Sequence, residues 1–512
     1  MAGMILNRRT FLSASLAATV TSALGKSALS DEPVAVPQQQ LARDPLRPQF
    51  HLLPRRNWMN DPCAPRFHGG EYHMFFQYNP HAAVWGDMHW NHATSPDLVH
   101  WKHMPLALAP TRDSYDAYGC FTGSVLPGAA EPTILYTGVT KCAPEQETIR
   151  GEGTREVQCL ATSSEPDLRS WQKLDKPVIA APPPGVKVTG FRDPCPWKEG
   201  DTWYLIVGSG FDKVGGAVLL YTSKDARSWT YLHPLAQGVW NGGSQTNPVD
   251  TGEMWECPDF FPLGEKHVLL YSTERKVYWE VGSFDRKELR FRSETKGLLD
   301  HGAYYAMKSM LDAKGRRVLW GWVEETRTAD ACVQAGWAGC MALPRLLTLG
   351  ADNRLRMQVP PEFTGLRRGV QSLAHGQHGP IEGRAAEAVF TFETGKTPCG
   401  LELRPRGGGA SLVSLAYNGV ASKPELKVAS RGAQGGDEIQ LLPLIPGPDG
   451  VVTVRLWMDG SVLELLVDGR EAVTLRNYVA GDVECAATGA ADALRTFELY
   501  GVAPISADRL TT

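Results

Sequence analysis

Ser95-Pro96-Asp97-Leu98-Val99-His100-Trp101 returns loosely as Ser164-Glu165-Pro166-Asp167-Leu168-Arg169-Ser170-Trp171 and again as Ser223-Lys224-Asp225-Ala226-Arg227-Ser228-Trp229. Each copy reads as a turn entering a strand. Ahead of each lies a run with strand composition, Tyr72 to Tyr78, Thr133 to Val139 and Thr202 to Ser209, and two more follow at His267 to Thr273 and Arg317 to Val323. Few segments suit a long helix. Five sheet units of roughly 40 to 70 residues predict radial repetition, a five-bladed β-propeller over residues 45–350, with a large irregular β-sandwich as the competing arrangement. After Gly350 the pattern changes. Val359-Pro360-Pro361-Glu362 and Gly365-Leu366-Arg367-Arg368-Gly369 read as a connector, and alternating runs such as Ala388 to Glu393, Val452 to Met458 and Val462 to Val467 predict a C-terminal β-sandwich over residues 370–505. The expected fold class is all-β, a five-bladed β-propeller followed by a C-terminal β-sandwich.

A chain of 512 residues exceeds one ordinary core, and 43% hydrophobic with 21% charged residues is the composition of a soluble globular protein. The net charge is −4; setting aside Arg8, Arg9 and Lys26, the only charges in residues 1–30, leaves −7, which argues against a nucleic-acid partner. Asn7-Arg8-Arg9-Thr10-Phe11-Leu12 precedes an apolar run from Leu12 to Leu24 that is too short to span a bilayer. Residues 1–30 therefore look like a twin-arginine export signal, the alternative being an ordinary N-terminus. The mature chain is expected to begin near Asp31, to be periplasmic or secreted, and to have no membrane association once the signal is removed. No sequence feature indicates an oligomeric state. The ten cysteines form no close Cys-x-x-Cys pair, which speaks against a zinc site, and a chain folded before export is expected to keep them mostly free and buried.

Three acidic motifs punctuate the first five units: Trp58-Met59-Asn60-Asp61-Pro62, Phe191-Arg192-Asp193-Pro194 and Glu256-Cys257-Pro258-Asp259. Each carboxylate lies within two residues of a proline and near an aromatic, so stiff backbone places it in partly apolar surroundings. Such surroundings split carboxylate pKa values into nucleophile and acid roles, the requirement of a glycosidase. Asp61, Asp193 and Glu256 each stand ahead of the central run of their unit. In a propeller that position faces the axial funnel, so the three converge despite their separation.

In order and content these motifs resemble glycoside hydrolase family 32, the invertases, inulinases, levanases and related fructosyltransferases. The likeness extends through Phe76-Gln77-Tyr78-Asn79-Pro80, Trp85-Gly86-Asp87-Met88-His89-Trp90, Trp320-Gly321-Trp322 and Leu343-Pro344-Arg345, and weakly into Asp459-Gly460-Ser461-Val462-Leu463-Glu464. The family's fold, a five-bladed propeller and a β-sandwich, agrees with the repeat reading. The resemblance implies a retaining double displacement on a β-D-fructofuranosyl unit of sucrose or a fructan. Asp61 would be the nucleophile and Glu256 the acid and base, with carboxyls about 5 to 5.5 Å apart. Asp193 would stabilise the transition state by gripping ring hydroxyls, with Arg192 beside it as a donor. Asn60, Gln77, Trp85, Phe121 and Thr122 would line the sugar pocket, Thr122 replacing the family's usual serine, and Tyr305 is a further candidate. Unequal surroundings would separate the two main acids, with Asn60 and other donors around Asp61 and apolar Met254, Trp255 and Cys257 flanking Glu256.

Many family members follow Asp-Pro with Asn-Gly, where this chain has Cys63-Ala64-Pro65. Asn-Gly tolerates positive φ and Cys-Ala does not, so the backbone after Asp61 is expected to differ. This variant resembles a branch that includes enzymes passing fructose to sugars. The leading expectation is a hydrolase, the second a fructosyltransferase making fructo-oligosaccharides, the third a carbohydrate-binding propeller without catalysis. No cofactor and no metal are expected. His89-x-x-His92 is a weak metal motif because strand alternation does not aim both imidazoles at one ion. The stretch Glu145 to Glu156 reads as a solvated loop that could rim the funnel.

Overall fold

The computed structural model describes residues 35–510 apart from 396–398, 419–423, 432–436, 445 and 448; the export signal expected over 1–30 lies outside the described residues. The fold is nearly all β. Five sheets of four or five strands come first in the chain and two six-stranded sheets follow. The five runs read from the sequence are each the second strand of one of these sheets, within Glu71–Asn79, Thr133–Lys141, Thr202–Phe211, Lys266–Thr273 and Arg317–Val323. The first strands are Asn57–His68, Gly119–Val125, Phe191–Glu199, Glu256–Leu263 and Tyr304–Leu311. Each first strand packs against the next, and the fifth packs against the first. Trp337–Ala338, late in the series, pairs in parallel with Asn57 and Trp58 at the start of the first sheet. The fifth sheet also takes in Leu355–Gln358, so it runs past residue 350.

The repeated turn joins the third strand of a sheet to its fourth. Leu98, Leu168 and Ala226 take left-handed φ of 72°, 56° and 59°, and the indole N–H of Trp101, Trp171 and Trp229 donates to the carbonyl of that same residue at 3.1 Å. The aspartate closes the turn from the other side: Asp97 Oδ1 accepts the N–H of Val99 and His100, and Asp225 Oδ1 those of Arg227 and Ser228. The fourth sheet has a partial counterpart at Asp285 to Leu289, in which Asp285 accepts the N–H of Lys287 and Glu288, but the left-handed residue is Leu289 at φ 52°, standing where the other copies have tryptophan. That copy has no tryptophan to read in the sequence.

The two six-stranded sheets enclose one apolar core between them, with Phe390, Leu401, Leu415, Val454, Leu465 and Phe497 among its residues. The runs Ala385–Glu393, Val451–Asp459 and Val462–Val467 are neighbours in one of these sheets. A second core continues from the first, fourth and fifth sheets into Trp457, Val462, Leu466 and Ala472.

Charged groups are sealed in this junction. Asp300, fully buried, accepts from Arg345 at 2.7 Å and from the Thr474 hydroxyl and amide at 2.8 and 2.9 Å; burial pushes its carboxyl up, but Arg345 and these donors hold it below the usual range. The segment before the first strand threads the same junction. Asp459 accepts the backbone N–H of Gln49, Phe50 and His51, and the His51 ring bridges Asp459 at 2.7 Å and Glu464 at 2.9 Å.

Burial alone would lower the His51 pKa, but the bonds to Asp459 and Glu464 overcome it and raise it to about 9. Because the folded value lies above the unfolded one, the stability from protonated His51 is complete below about pH 6.5 and is lost as pH rises through about 9. At roughly 1.4 kcal/mol per unit this amounts to about 3 kcal/mol. Urea unfolding at pH 6 and pH 9.5 should show that much extra loss in the wild type relative to His51→Gln.

Candidate active site

Every first strand slips in its pairing with the second, between Met59 and Pro62, Phe121 and Gly123, Arg192 and Cys195, Glu256 and Asp259, and Tyr305 and Lys308. A bulge inserts a residue, bends the strand and turns a side chain out of the regular alternation. Three bulges place a residue with a side chain in the left-handed region: Asp193 at φ 66°, Cys257 at 49° and Ala306 at 53°. Prolines 62, 194 and 258 have no N–H to leave unpaired there. At the second bulge a Cβ on Gly123 would stand 2.0 Å from the Leu135 carbonyl oxygen, so only glycine fits beside Thr122.

The bulges bring together Asp61, Asp193 and Glu256, all at most 2% exposed. The Cys257 thiol touches two of them, 3.5 Å from Asp61 Oδ2 and 3.4 Å from Asp193 Oδ2. Asp61 Oδ1 accepts from Asn60 Nδ2 at 2.9 Å and Oδ2 from the Thr122 hydroxyl at 2.5 Å. Gln77 closes the ring, accepting from Asn60 at 2.8 Å and donating to Thr122 at 2.6 Å, while Trp58 Nε1 donates to Asn60. Asn60, Gln77 and Thr122 are fully buried and turn their polar atoms toward Asp61 and one another.

Glu256 meets different groups: the Tyr305 hydroxyl at 2.7 Å on Oε2 and Arg192 Nη1 at 3.5 Å on Oε1. Its chain neighbours meet other groups. Trp255 stacks on Tyr271 at 3.7 Å, Met254 joins Ile149 and Val249, and Cys257 faces the two aspartates. The apolar flank expected from the sequence is therefore replaced by a phenol and a guanidinium.

Arg192, buried, is shared among carboxylates: Glu156 at 2.9 Å, Glu152 at 3.4 Å and Glu256. Glu156 sits fully buried on the strand Thr154–Thr162 and Glu152 precedes it, so this end of the expected solvated loop belongs to the site. Burial raises the Glu156 carboxyl to about 7 against the pull of Arg192. Asp193 is likewise raised by burial to about 6; Arg192 pulls it down while Glu256 and Asp61 push it up. The Cys257 N–H donates to Asp193 Oδ2 at 2.7 Å, and the Asp193 N–H donates to the Thr137 hydroxyl at 2.8 Å.

Trp85 and Phe121 stand edge to face at 5.9 Å and pack with Trp58, Cys257, Tyr305 and Trp322 around these acids. All nine residues proposed from the sequence thus gather in one place. Glu152, Glu156, Thr137 and Cys257 had not been proposed as site residues, and Tyr305 only as a further candidate.

Ala64, after the bulge at Asp61, takes φ 43°, so the replacement of Asn-Gly does not abolish left-handed backbone there. A second slip between Cys63 and Arg66 imposes it, and buried packing holds the small side chain. His92 stacks on His73 with their ring nitrogens 3.0 Å apart, while His89 bonds the Asp87 carbonyl, so the two histidines of the motif point apart. All ten cysteines are free thiols, nine of them buried.

A model of the glycosyl hydrolases family 32 N-terminal domain matches residues 51–360. The chain belongs to glycosyl hydrolase family 32. It is 34% identical over 431 residues to a sucrose-6-phosphate hydrolase of Zymomonas mobilis, covering 78% of this chain and 79% of that one. It is 33% identical over 471 residues to a raffinose invertase of Escherichia coli, covering 85% and 90%. Among solved structures, a family 32 β-fructofuranosidase of Bombyx mori aligns with a TM-score of 0.76 at 27% identity, covering 91% of this chain and 96% of that one. Fructan 1-exohydrolase IIa of Cichorium intybus aligns with a TM-score of 0.75 at 26% identity, covering 90% and 98%. The protein is a glycoside hydrolase.

Asp193 gives this family 32 enzyme a testable conflict between stability and function. Its folded pKa of about 6 exceeds the ordinary carboxylate value of 3.8, so the folded state holds the proton more tightly and loses stability as pH rises between those values. Asp193→Asn should raise unfolding stability at pH 7 by about 1 to 3 kcal/mol, measured by urea titration, while suppressing turnover. The advantage should vanish below about pH 4.

Proposed function

We propose that the enzyme is an exported retaining β-fructofuranosidase that removes the terminal fructosyl unit of sucrose or a short fructan. The five sheets, linked in a circuit through their first strands, would form a five-bladed propeller with the acids at one mouth of its axis, and the two six-stranded sheets a β-sandwich. The observation that carries the catalytic assignment is the contrast between two carboxyls. Asp61 accepts from Asn60 and Thr122 and lies beside the Cys257 thiol, donors that hold its carboxyl in one orientation. Glu256 meets a phenol that can bond either protonation state, and an arginine whose charge is divided with Glu152 and Glu156.

On this reading Asp61 attacks the anomeric carbon while Glu256 protonates the departing oxygen. Glu256 then takes the proton of a water that cleaves the fructosyl ester. Three acids so close together repel one another, which favours keeping one proton among them until the leaving group takes it. Asp193 accepts from vicinal ring hydroxyls, and its positive φ aims it there. Asn60, Gln77 and Thr122 hold Asp61 in one rotamer, Arg192 positions Glu256, and Trp85 and Phe121 wall the pocket. Names of relatives support the substrate class: they include sucrose-6-phosphate hydrolase and raffinose invertase, and one solved Bombyx mori β-fructofuranosidase mutant is a complex with sucrose.

The test is a time course on concentrated sucrose with glucose and fructose measured separately. Equal release is expected; glucose in clear excess would replace hydrolysis by transfer to sugar, the second reading. Asp61→Asn and Glu256→Gln should each lower kcat by about a thousandfold or more. Export is tested by the N-terminal sequence of protein recovered outside the cytoplasm, expected to start near Asp31.

A further inference from the structure

Beyond the acids, the same first strands run on to the opposite end of their circuit and line an open cavity of about 390 Å³. Its wall takes in Arg66, Ser124, Trp197, Asp259 and Lys308, which follow Asp61, Thr122, Asp193, Glu256 and Tyr305 along their strands, together with Arg317 of the neighbouring strand. At about 3.3 Å per residue, most of this wall lies roughly 10 to 15 Å further along the strands than the acids.

The cavity is rich in donors without partners. Arg66 Nε and Nη1, Ser124 Oγ, Trp197 Nε1 and Arg317 Nε are buried and make no hydrogen bond among the described residues. Unsatisfied buried donors are rare and costly, and here they belong to residues around a single cavity. Charge points the same way, since Arg66, Lys308 and Arg317 face the single carboxylate of Asp259. That carboxylate accepts the Ser309 N–H at 2.6 Å and the Cys195 thiol at 3.6 Å, and its charge offsets only part of that of Lys308 and Arg317. Lys308 Nζ donates to the Pro258 carbonyl at 2.8 Å, and the Arg317 guanidinium lies over the Phe261 ring at 4.4 Å, which fixes its plane.

We propose that this far mouth is a second binding site, separate from the sugar site, for a phosphate group either free or borne on a small organic molecule. Arg66 bonds His68 and Arg317 bonds Ser309, each at 3.4 Å, which leaves further N–H groups of both guanidinium forks to match phosphate oxygens, and a hydroxyl and an indole N–H add neutral donors. Burial lowers the pKa of both arginines, a cost that a bound anion relieves. The cavity volume falls in the range that holds small organic ligands, which accommodates a phosphate with a short carbon skeleton.

The experiment is calorimetric titration of the mature full-length chain at low ionic strength with inorganic phosphate and, separately, with glycerol phosphate. One saturable site with Kd of about 10 mM or tighter is expected, weakened at least about tenfold in Arg66→Gln and in Arg317→Gln. Sucrose turnover should stay at the wild-type rate in both variants, and saturating sucrose should not displace the anion. Tighter binding of glycerol phosphate assigns the organic-borne form, and equal affinity assigns free phosphate. Absence of saturable binding of either anion, undiminished affinity in the arginine variants, or displacement by sucrose would overturn the proposal. Should an arginine variant misfold, Trp197→Phe keeps the ring and removes one donor, and unchanged affinity there counts against the site.

Discussion

Three carboxyl groups buried around one point repel each other, and much of the surrounding structure answers that repulsion. Burial removes the water that would otherwise screen them. The protein replaces it with aimed dipoles on Asp61, a backbone N–H and a thiol on Asp193, and a phenol on Glu256. Positive counter-charge comes from Arg192 on one side and from Lys308, buried beneath the acids, on the other. Arg192 is in turn restrained by Glu152 and Glu156, so its attraction does not collapse onto Glu256 alone. The result is a cluster in which carboxylates outnumber the cations that face them and whose geometry is set by backbone bulges rather than by flexible side chains.

The legible part of the fold was the part with a local signature. A turn that needs a serine, an aspartate and a tryptophan leaves those letters at fixed spacing, and the second strands, buried on both faces, leave dense apolar runs. The acids were readable because proline and aromatics bracket them. The supporting groups were not. Glu156 stands two residues before Gln158 on an ordinary-looking strand, and only the approach of Phe191–Glu199 reveals that its partner is Arg192. Ala64 shows the limit of single-residue rules most clearly, because a bulge fixed by pairing with the next strand overrode the preference of its side chain.

The junction between the five sheets and the two that follow has a different chemistry from the site. There Asp300, Arg345, Glu464, Asp459 and His51 form a buried charged seam with nearly every donor matched to an acceptor. Ion pairs of this kind add little net stability over apolar packing, yet breaking one leaves a costly lone charge. They therefore fix one docking geometry and penalise others. Glycine at 302 belongs to this fit, since a Cβ there would stand 1.9 Å from the Thr474 carbonyl oxygen.

Trp337–Ala338 lies beside Asn57 and Trp58 in parallel register, and the strand thus joined is the one that carries Asp61. A circuit fastened by the two ends of its own sequence has a temporal consequence. During synthesis the first sheet waits with an open edge while some 280 residues are added, because contacts so distant in sequence form slowly and only after the intervening loop is closed. The site is therefore completed late, only once the first 338 of the 512 residues have been made, and a ribosome-bound fragment lacking that clasp holds the nucleophile's strand without its lateral support.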